Sequence, residues 1–343
     1  GEVALSRPQE PKPPYPYRVE EVTFENTKAG VTLAGTLTLP EKGEHYPVVV
    51  LISGSGPQNR DEELMAHKPF LVLADYLTRQ GIGGLRFDDR GVGQSTGNFG
   101  TATTLDFAGD VEAAVNFLKN DRKIRNIGLI GHSEGGMIAP LVASRSGDVA
   151  FIVLLAGPGL RGDRILLEQQ KEMGKVTGAT RKDLEYSSVV NRKCFDLVLE
   201  SSSSEEAEVP LKKYMDSWNQ AGKLPANMRD ERGAELWRKQ VLSPWMYFFV
   251  KYDPVPVLRS VKCPVLALNG SNDLQVLPEN LGIIKKGLEA GKNRSVTVKE
   301  LPGLNHLFQT CESGSPALYG TIEETFSPVA LQEIGDWIKG KGF

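Results

Sequence analysis

The sequence predicts an α/β protein in which a mostly parallel central sheet has helices on both faces and carries an inserted helical cap. Three observations in the 343 residues predict this fold. Short apolar runs recur along the chain, segments with helical spacing of apolar residues separate them, and one long stretch without strand patterns interrupts the alternation. Strands that are apolar throughout are typical of a sheet buried on both faces. Alternation of strands and helices favours parallel neighbours joined by crossover helices.

The predicted elements begin after an extended, proline-rich tail over residues 1–18. Two segments of alternating apolar and polar residues, on either side of a turn at residues 28–30, predict an antiparallel pair of strands. Further strands are predicted at residues 47–53, 83–87, 127–130, 151–155, 265–268 and 295–301. Helices are predicted at residues 69–79, 105–118, 135–144 and 278–289.

The interrupting stretch spans residues 160–251 and has several charged helical patterns. A loop of this length without structure of its own is uncommon in a folded domain. We therefore expect a helical cap inserted between the sixth and seventh strands of the sheet. The core of the fold is then formed by residues 19–159 and 252–343.

Composition excludes several classes of protein. The 40 basic and 43 acidic side chains give a net charge of −3, which excludes nucleic-acid binding driven by bulk positive charge. The longest apolar runs are far shorter than the ~20 residues of a membrane-spanning helix. Three distant cysteines and four histidines form neither CxxC nor HExxH, so no metal site is expected.

The motif GHSEGG at residues 131–136 is the strongest indication of a catalytic site in the sequence. It follows the apolar run NIGLI and precedes a segment that can be helical, which is the strand–turn–helix context of a nucleophile elbow. Glycines are needed there because the turn is too tight for a Cβ atom. Ser133 is therefore the candidate nucleophile, and a plain helix N-cap serine is the alternative.

A serine nucleophile needs a base, and the base needs an acidic partner. His306 is the only histidine C-terminal to Ser133, and it follows the last predicted strand. Asp273 follows the preceding strand at the matching edge of the sheet, whereas Asp253 and Asp163 lack a preceding strand. We expect Asp273 and His306 to complete the site.

An oxyanion hole requires two backbone N–H groups. One is expected from Glu134, the residue after the nucleophile, and the other from the glycine-rich loop at residues 53–62. Ser55 is the predicted second donor, with Gly54 and Gly56 as alternatives.

Other polar residues receive structural interpretations. Asp88, Asp89 and Arg90 are expected to form an ion-paired brace, and bracing is favoured over substrate contact for His67 and Arg60. The aromatic residues of the cap are expected to anchor it by burial, with lining of an acyl pocket as the alternative. These aromatic residues are Trp245, Tyr247, Phe248 and Phe249.

Several motifs together resemble those of bacterial serine esterases in the α/β-hydrolase superfamily, related to the serine aminopeptidase-like hydrolases. They are GSGPQNRDE, HKPFLVLADYL, RFDDRGVGQS, GHSEGG, LLAGPG, NGSNDLQV and GLNHLFQ. The resemblance extends from Val19 to the C-terminus. It implies a Ser133–Asp273–His306 triad, a helical cap over the pocket, small carboxylic ester substrates and no cofactor.

The expected function is that of a serine carboxylesterase acting through an acyl-enzyme. A peptidase acting on short peptides is one alternative, because amide cleavage uses the same triad. A binding protein on a hydrolase scaffold is the other. The proline-rich start suits the mature end of an exported protein, so a periplasmic or secreted location is expected, with the cytoplasm as the alternative.

Overall fold

An eight-stranded sheet forms the centre of the protein, which the computed structural model describes over residues 5–343. The strands in chain order are β1 (Arg18–Asn26), β2 (Val31–Leu39), β3 (Tyr46–Ile52), β4 (Gly83–Phe87), β5 (Ile124–His132), β6 (Val149–Leu155), β7 (Val265–Gly270) and β8 (Val296–Leu301). Their order across the sheet is β1-β2-β4-β3-β5-β6-β7-β8. Only β2 runs against its neighbours, so the six strands from β3 to β8 are parallel and their carboxyl ends share one edge.

Helices cover both faces of this sheet. They are α1 (Pro69–Arg79), α2 (Thr104–Leu118), α3 (Gly135–Arg145), α4 (Gly162–Val176), α5 (Arg181–Glu200), α6 (Ser204–Gln220), α7 (Glu231–Val241), α8 (Pro244–Lys251), α9 (Val255–Leu258), α10 (Asn280–Ala290) and α11 (Pro328–Gly340). Side chains alternate along β3, so that Val48 and Val50 pack with α2, α3 and α10 whereas Val49 and Leu51 pack with α1 and α11. The predicted fold class is confirmed.

Five consecutive helices, α4 to α8, occupy the stretch for which the sequence predicts a cap. They bury an apolar core of their own, in which Phe195, Leu211 and Met215 are almost fully enclosed. A smaller cluster joins the cap to the sheet domain, because Ile165 and Phe249 pack against Met137 of α3. The cap is thereby seated directly above the turn that carries Ser133.

The N-terminal tail lies against the surface of the core. Arg7 donates hydrogen bonds to the carbonyl groups of Met65 and Gly320, and the Gln9 side chain bonds the backbone of Thr325 and Phe326. The first four residues of the predicted tail lie outside the described residues. Within residues 5–343, no helix is both long and apolar enough to cross a membrane.

A buried ion pair ties the outer strands to α2, and its loss should destabilise the fold. The Arg90 guanidinium contacts both carboxylate oxygens of Asp110 at 2.7 and 2.8 Å, and Asn26 donates a further bond to Asp110. We expect Asp110→Ala to lower the free energy of unfolding by about 3 kcal/mol, because Arg90 keeps a buried, unpaired charge. Urea unfolding measures the change.

The matched control is Asp148→Ala, which removes the exposed ion pair with Lys119. It should lower the free energy of unfolding by less than about 1 kcal/mol, because solvent screens exposed charges. Equal losses in the two variants would contradict the importance of the buried pair.

Candidate active site

The turn after β5 holds Ser133 in a strained backbone conformation. Its φ of +56° is in the left-handed region, which a residue with a side chain adopts only when its surroundings enforce it. A Cβ atom on Gly131 would lie 1.9 Å from the carbonyl oxygen of Gly135, and one on Gly135 would lie 2.2 Å from that of Ile52. Both of these positions therefore accept glycine alone, and the Ser133 side chain is held above the carboxyl edge of the sheet.

The three residues predicted as a triad lie within hydrogen-bonding distance of one another. The Oγ atom of Ser133 is 3.1 Å from Nε2 of His306, and Nδ1 of His306 is 2.8 Å from Oδ2 of Asp273. The other oxygen of Asp273 accepts the backbone N–H groups of Gln275 and Val276 at 2.8 and 3.0 Å. These bonds fix the carboxylate, so that Nδ1 of His306 carries a proton and Nε2 faces the serine hydroxyl.

The two other aspartates considered from the sequence are engaged elsewhere. Asp163 is paired with Arg161 and Arg192 in the cap, and Asp253 accepts the backbone N–H of Val255. Neither contacts His306.

The loop after β3 lies against Ser133, since a Cβ atom on Gly54 would lie 3.2 Å from Cβ of Ser133. The N–H of Gly54 donates to Oε2 of Glu62 at 2.8 Å and is therefore occupied. In the described part of the chain, the N–H groups of Ser55 and Glu134 make no hydrogen bond. The N–H groups of the predicted pair are therefore available, and so is that of Gly56 within the described residues, whereas the N–H of Gly54 is occupied.

The carboxylate of Glu134 joins three separate elements beside Ser133. It accepts the Ser55 hydroxyl at 3.0 Å, the Thr104 hydroxyl at 2.8 Å, and the indole N–H of Trp245 at 2.9 and 3.1 Å. Burial raises the pKa of Glu134, although all three donors oppose this shift. The side chain connects the loop after β3, the start of α2 and the cap, which the motif alone did not indicate.

Two aspartates after β4 hold the loop that contains Ser55. Asp88 pairs with the Arg60 guanidinium at 2.9 Å and accepts the Arg60 backbone N–H. Asp89 differs from the predicted ion-paired brace, because its partners are the Ser53 hydroxyl and the Gln58 backbone N–H, both at 3.0 Å. Burial raises the pKa of Asp89 to about 8. The loop is therefore held by one charged and one strongly desolvated carboxyl group.

A cavity of about 340 Å³ opens onto Ser133 between the sheet domain and the cap. Its cap side is apolar and includes Ile165, Leu166, Trp245 and Phe249. Both interpretations of the cap aromatics therefore hold in part, because Trp245 and Phe249 line the cavity and also anchor the cap.

The opposite wall of the cavity is polar. It includes His67, Gln275, Tyr319 and Thr325. His67 is braced by the Thr325 hydroxyl at 2.7 Å and the Tyr319 carbonyl at 3.0 Å, and burial lowers its pKa. Over residues 5–343, no group of three or more His, Cys, Asp or Glu side chains is arranged to hold a metal ion.

Comparison with known proteins assigns the chain to a family. The model of a family described as serine aminopeptidase, S33, matches residues 67–310. The chain belongs to this S33 family. A relative named Esterase EstD, from Thermotoga maritima, is 25% identical over 326 residues, which cover 94% of this chain and 69% of the relative.

Two solved structures show the fold of this S33 family member. The Pyrococcus furiosus esterase Pf2001 has a TM-score of 0.54 and 18% identity, over 94% of this chain and 93% of that one. Est1E from Butyrivibrio proteoclasticus, solved with ferulic acid, has a TM-score of 0.56 and 14% identity, over 93% and 98% of the two chains. The predicted α/β-hydrolase fold with esterase relatives is confirmed.

The indole of Trp245 offers a test of the contact between cap and nucleophile turn in this S33 family member. Trp245→Phe removes the N–H donor to Glu134 while keeping an aromatic ring, and we expect kcat/KM to fall about tenfold for a short ester. A hydrogen bond to a charged group contributes roughly 1.5–3 kcal/mol, and each ~1.4 kcal/mol corresponds to tenfold in rate.

Trp237→Phe is the matched control, because the buried indole N–H of Trp237 has no hydrogen-bond partner within residues 5–343. Its kcat/KM should stay within about twofold of the wild-type value. A tenfold loss in both variants, or in neither, would contradict the proposed role of the Trp245–Glu134 contact.

The raised pKa of Asp89 gives a dependence of stability on pH. Between the usual pKa of 3.8 and about 8, the unfolded chain releases this proton while the folded chain keeps it, so stability falls as pH rises. Asp89→Asn removes this effect. At each pH, the wild-type unfolding free energy is subtracted from that of the variant. We expect this difference to be larger at pH 8.5 than at pH 5 by at least about 2 kcal/mol. Urea unfolding at both pH values measures it, and an unchanged difference would contradict the shift.

Proposed function

We propose that this chain is a serine carboxylesterase that hydrolyses small-molecule esters through an acyl-enzyme on Ser133. The observation that carries the proposal is the continuous contact from the Ser133 hydroxyl through His306 to Asp273, at 3.1 and 2.8 Å, at the cavity between the sheet domain and the cap. The esterase names of the sequence relative and of the fold neighbours support ester substrates.

Acylation begins when Nε2 of His306 accepts the proton of the Ser133 hydroxyl and the oxygen attacks the ester carbonyl. The negative charge that develops on the carbonyl oxygen is held by the N–H groups of Ser55 and Glu134. Asp273 remains ionised and stabilises the imidazolium that forms on His306.

Collapse of the tetrahedral intermediate releases the alcohol, which takes the proton from His306. Water then enters, gives a proton to the same nitrogen, and attacks the acyl-enzyme, so that the acid leaves and Ser133 is restored. The atoms and protons balance over the two half-reactions, and no group outside the chain and the water is needed.

The two walls of the cavity suit the two parts of an ester. Because the alcohol takes its proton from His306, it lies on the His306 side, where Gln275 donates a hydrogen bond to Tyr319 at 2.7 Å. The apolar wall, which includes Ile165 and Phe249, is then left for the acyl chain. Burial of an apolar chain there gains roughly 25 cal/mol per Å² removed from water.

The family description makes an aminopeptidase the second candidate. Such an enzyme must bind a free α-amino group, and a carboxylate in the cavity would be the natural partner. The acidic side chains among the lining residues are Glu62 and Glu134. Glu62 is already paired with His132, and Glu134 already accepts bonds from three side chains. This occupancy favours the ester over the peptide.

Replacement of the nucleophile tests the proposed mechanism. Ser133→Ala should lower the turnover of a p-nitrophenyl ester about 10⁴-fold or more, because no other hydroxyl lies in contact with His306 in the described structure. A steady-state assay measures the loss. The matched control is Ser144→Ala on α3, the helix that follows the Ser133 turn, where the hydroxyl bonds only the Leu141 carbonyl, and its rate should stay near wild type.

Substrate class is tested in parallel with aminoacyl-anilides and short acyl esters. We expect the ester kcat/KM to exceed the anilide kcat/KM by at least about 100-fold. Faster hydrolysis of the anilide would contradict the esterase assignment and support the peptidase. Near-normal ester turnover by Ser133→Ala would remove Ser133 from its role.

A further inference from the structure

A second acid–base pair lies directly beside the triad, and the proposed reaction does not use it. Oε1 of Glu62 is 2.7 Å from Nδ1 of His132, the last residue of β5. Nε2 of His132 lies 2.8 Å from the backbone carbonyl oxygen of His306, and the two imidazole rings are 4.9 Å apart between centroids. Both side chains of the pair are more than nine-tenths buried. Glu62 itself has a left-handed backbone, with a φ of +49°.

The contacts define the protonation of this pair. A carbonyl oxygen only accepts hydrogen bonds, so Nε2 of His132 must carry a proton. An ionised Glu62 carboxylate also only accepts, so the Nδ1 atom that faces it carries a proton as well. The 2.7 Å contact between Oε1 of Glu62 and Nδ1 of His132 is not aligned as a hydrogen bond. A lone pair on Nδ1 would nevertheless be repelled by the lone pairs of the carboxylate oxygen at this distance. An imidazolium facing a carboxylate satisfies both contacts.

The pair reaches both halves of the proposed catalytic machinery. Oε2 of Glu62 accepts the N–H of Gly54, the residue before the proposed oxyanion donor Ser55. His132 supports the backbone of His306, the proposed base. One continuous connection therefore runs from the oxyanion loop, through Glu62 and His132, to the loop that carries the base.

We propose that Glu62 and His132 are positioning residues, which act as a single ion pair to fix the oxyanion loop and the backbone of His306 relative to Ser133. This inference rests on the proposed function. Neither side chain takes part in proton transfer, because both ring nitrogens of His132 and both oxygens of Glu62 are already engaged by protein groups.

The charges around the pair are consistent with an imidazolium. The titratable groups that face His132 are Glu62 from the loop after β3, Asp273 from the loop after β7, and His306 from the loop after β8. Burial lowers the pKa of His132, but the Glu62 carboxylate and the His306 carbonyl more than offset burial, so the net direction is upward. The buried cation is thus paired, as buried charges require.

The kinetic test compares Glu62→Ala, His132→Ala and the double variant in a short-ester assay. A positioning role predicts that each single variant lowers kcat about 30-fold while KM changes less than about threefold, because alignment matters most in the transition state. The double variant should be as slow as either single variant, within about threefold, because the two residues act as one unit. Glu63→Ala, at an exposed neighbouring position, is the matched control.

Glu62→Gln keeps the shape of the side chain and guards against loss of folding. Its amide oxygen can accept the Gly54 N–H, and its amide nitrogen can donate to a neutral His132 that still bonds His306. We expect it to retain a kcat about tenfold above that of Glu62→Ala. The proposal is overturned if Glu62→Gln and Glu62→Ala have equal rates. It is also overturned if the two single losses multiply to about 1,000-fold in the double variant, or if only KM changes.

A spectroscopic readout separates this inference from the proposed function. The chain has four histidines, so selective ¹⁵N-histidine labelling gives a simple spectrum, and His132→Ala identifies the signal. At pH 7.5 we expect both ring nitrogens of His132 to be protonated in the wild type and one of them to lose its proton in Glu62→Gln. A neutral His132 in the wild type would overturn the ion pair even if ester hydrolysis is intact. If His132 is an imidazolium but the wild-type protein does not hydrolyse esters, the proposed function is contradicted instead.

Discussion

The left-handed backbone of Ser133 is the constraint on which the site depends. The chain leaves β5 and enters α3 within two residues, and the close approach of Gly131 to Gly135 leaves no room for a wider turn. Such a conformation costs roughly 1–3 kcal/mol and persists only where packing enforces it. The parallel strands on either side supply that packing, since the Ser133 N–H donates to the carbonyl of Leu155 at the end of β6.

Parallel topology determines which residues can meet at this turn. Ser133, Asp273 and His306 follow the carboxyl ends of β5, β7 and β8, and the proposed oxyanion loop follows β3. Each comes from a different loop, so their geometry depends on the sheet and on contacts between the loops. Buried carboxyl groups provide many of those contacts. Their desolvation costs are offset by the hydrogen bonds and ion pairs that fix the loops.

Much of the fold could be predicted because the relevant signals are local. Apolar runs and helical spacing identified β3, β4 and α1, and α1 begins and ends at the predicted residues 69 and 79. The sequence could propose the residues of a triad because chain order and strand ends restrict the choices to one histidine and a few aspartates, and these residues lie in contact in the structure. The helix α11, which packs against the face of the sheet that also carries α1, was not predicted.

The contacts around the triad could not be predicted, because they join residues that are distant in sequence. Glu134 and Trp245 are 111 positions apart, and the motif gave no indication that the Glu134 side chain would turn toward the cap. Glu62 lies in the loop after β3, with a left-handed backbone, whereas His132 is the last residue of β5, so their pairing joins two distant parts of the chain. The N-terminal tail, read as an extended segment, gave no signal that Arg7 and Gln9 would bond the loop carrying Thr325.

The most direct measurement of the central claim is trapping of the covalent intermediate. Acid quench of the protein during turnover of a slowly deacylating ester, followed by proteolysis and mass spectrometry, locates any acyl group on the chain. The account predicts one acyl adduct, on the peptide containing Ser133, which forms and decays at rates consistent with turnover. Rapid ester hydrolysis with an acyl group on another residue, or with an unmodified Ser133 throughout, would contradict it.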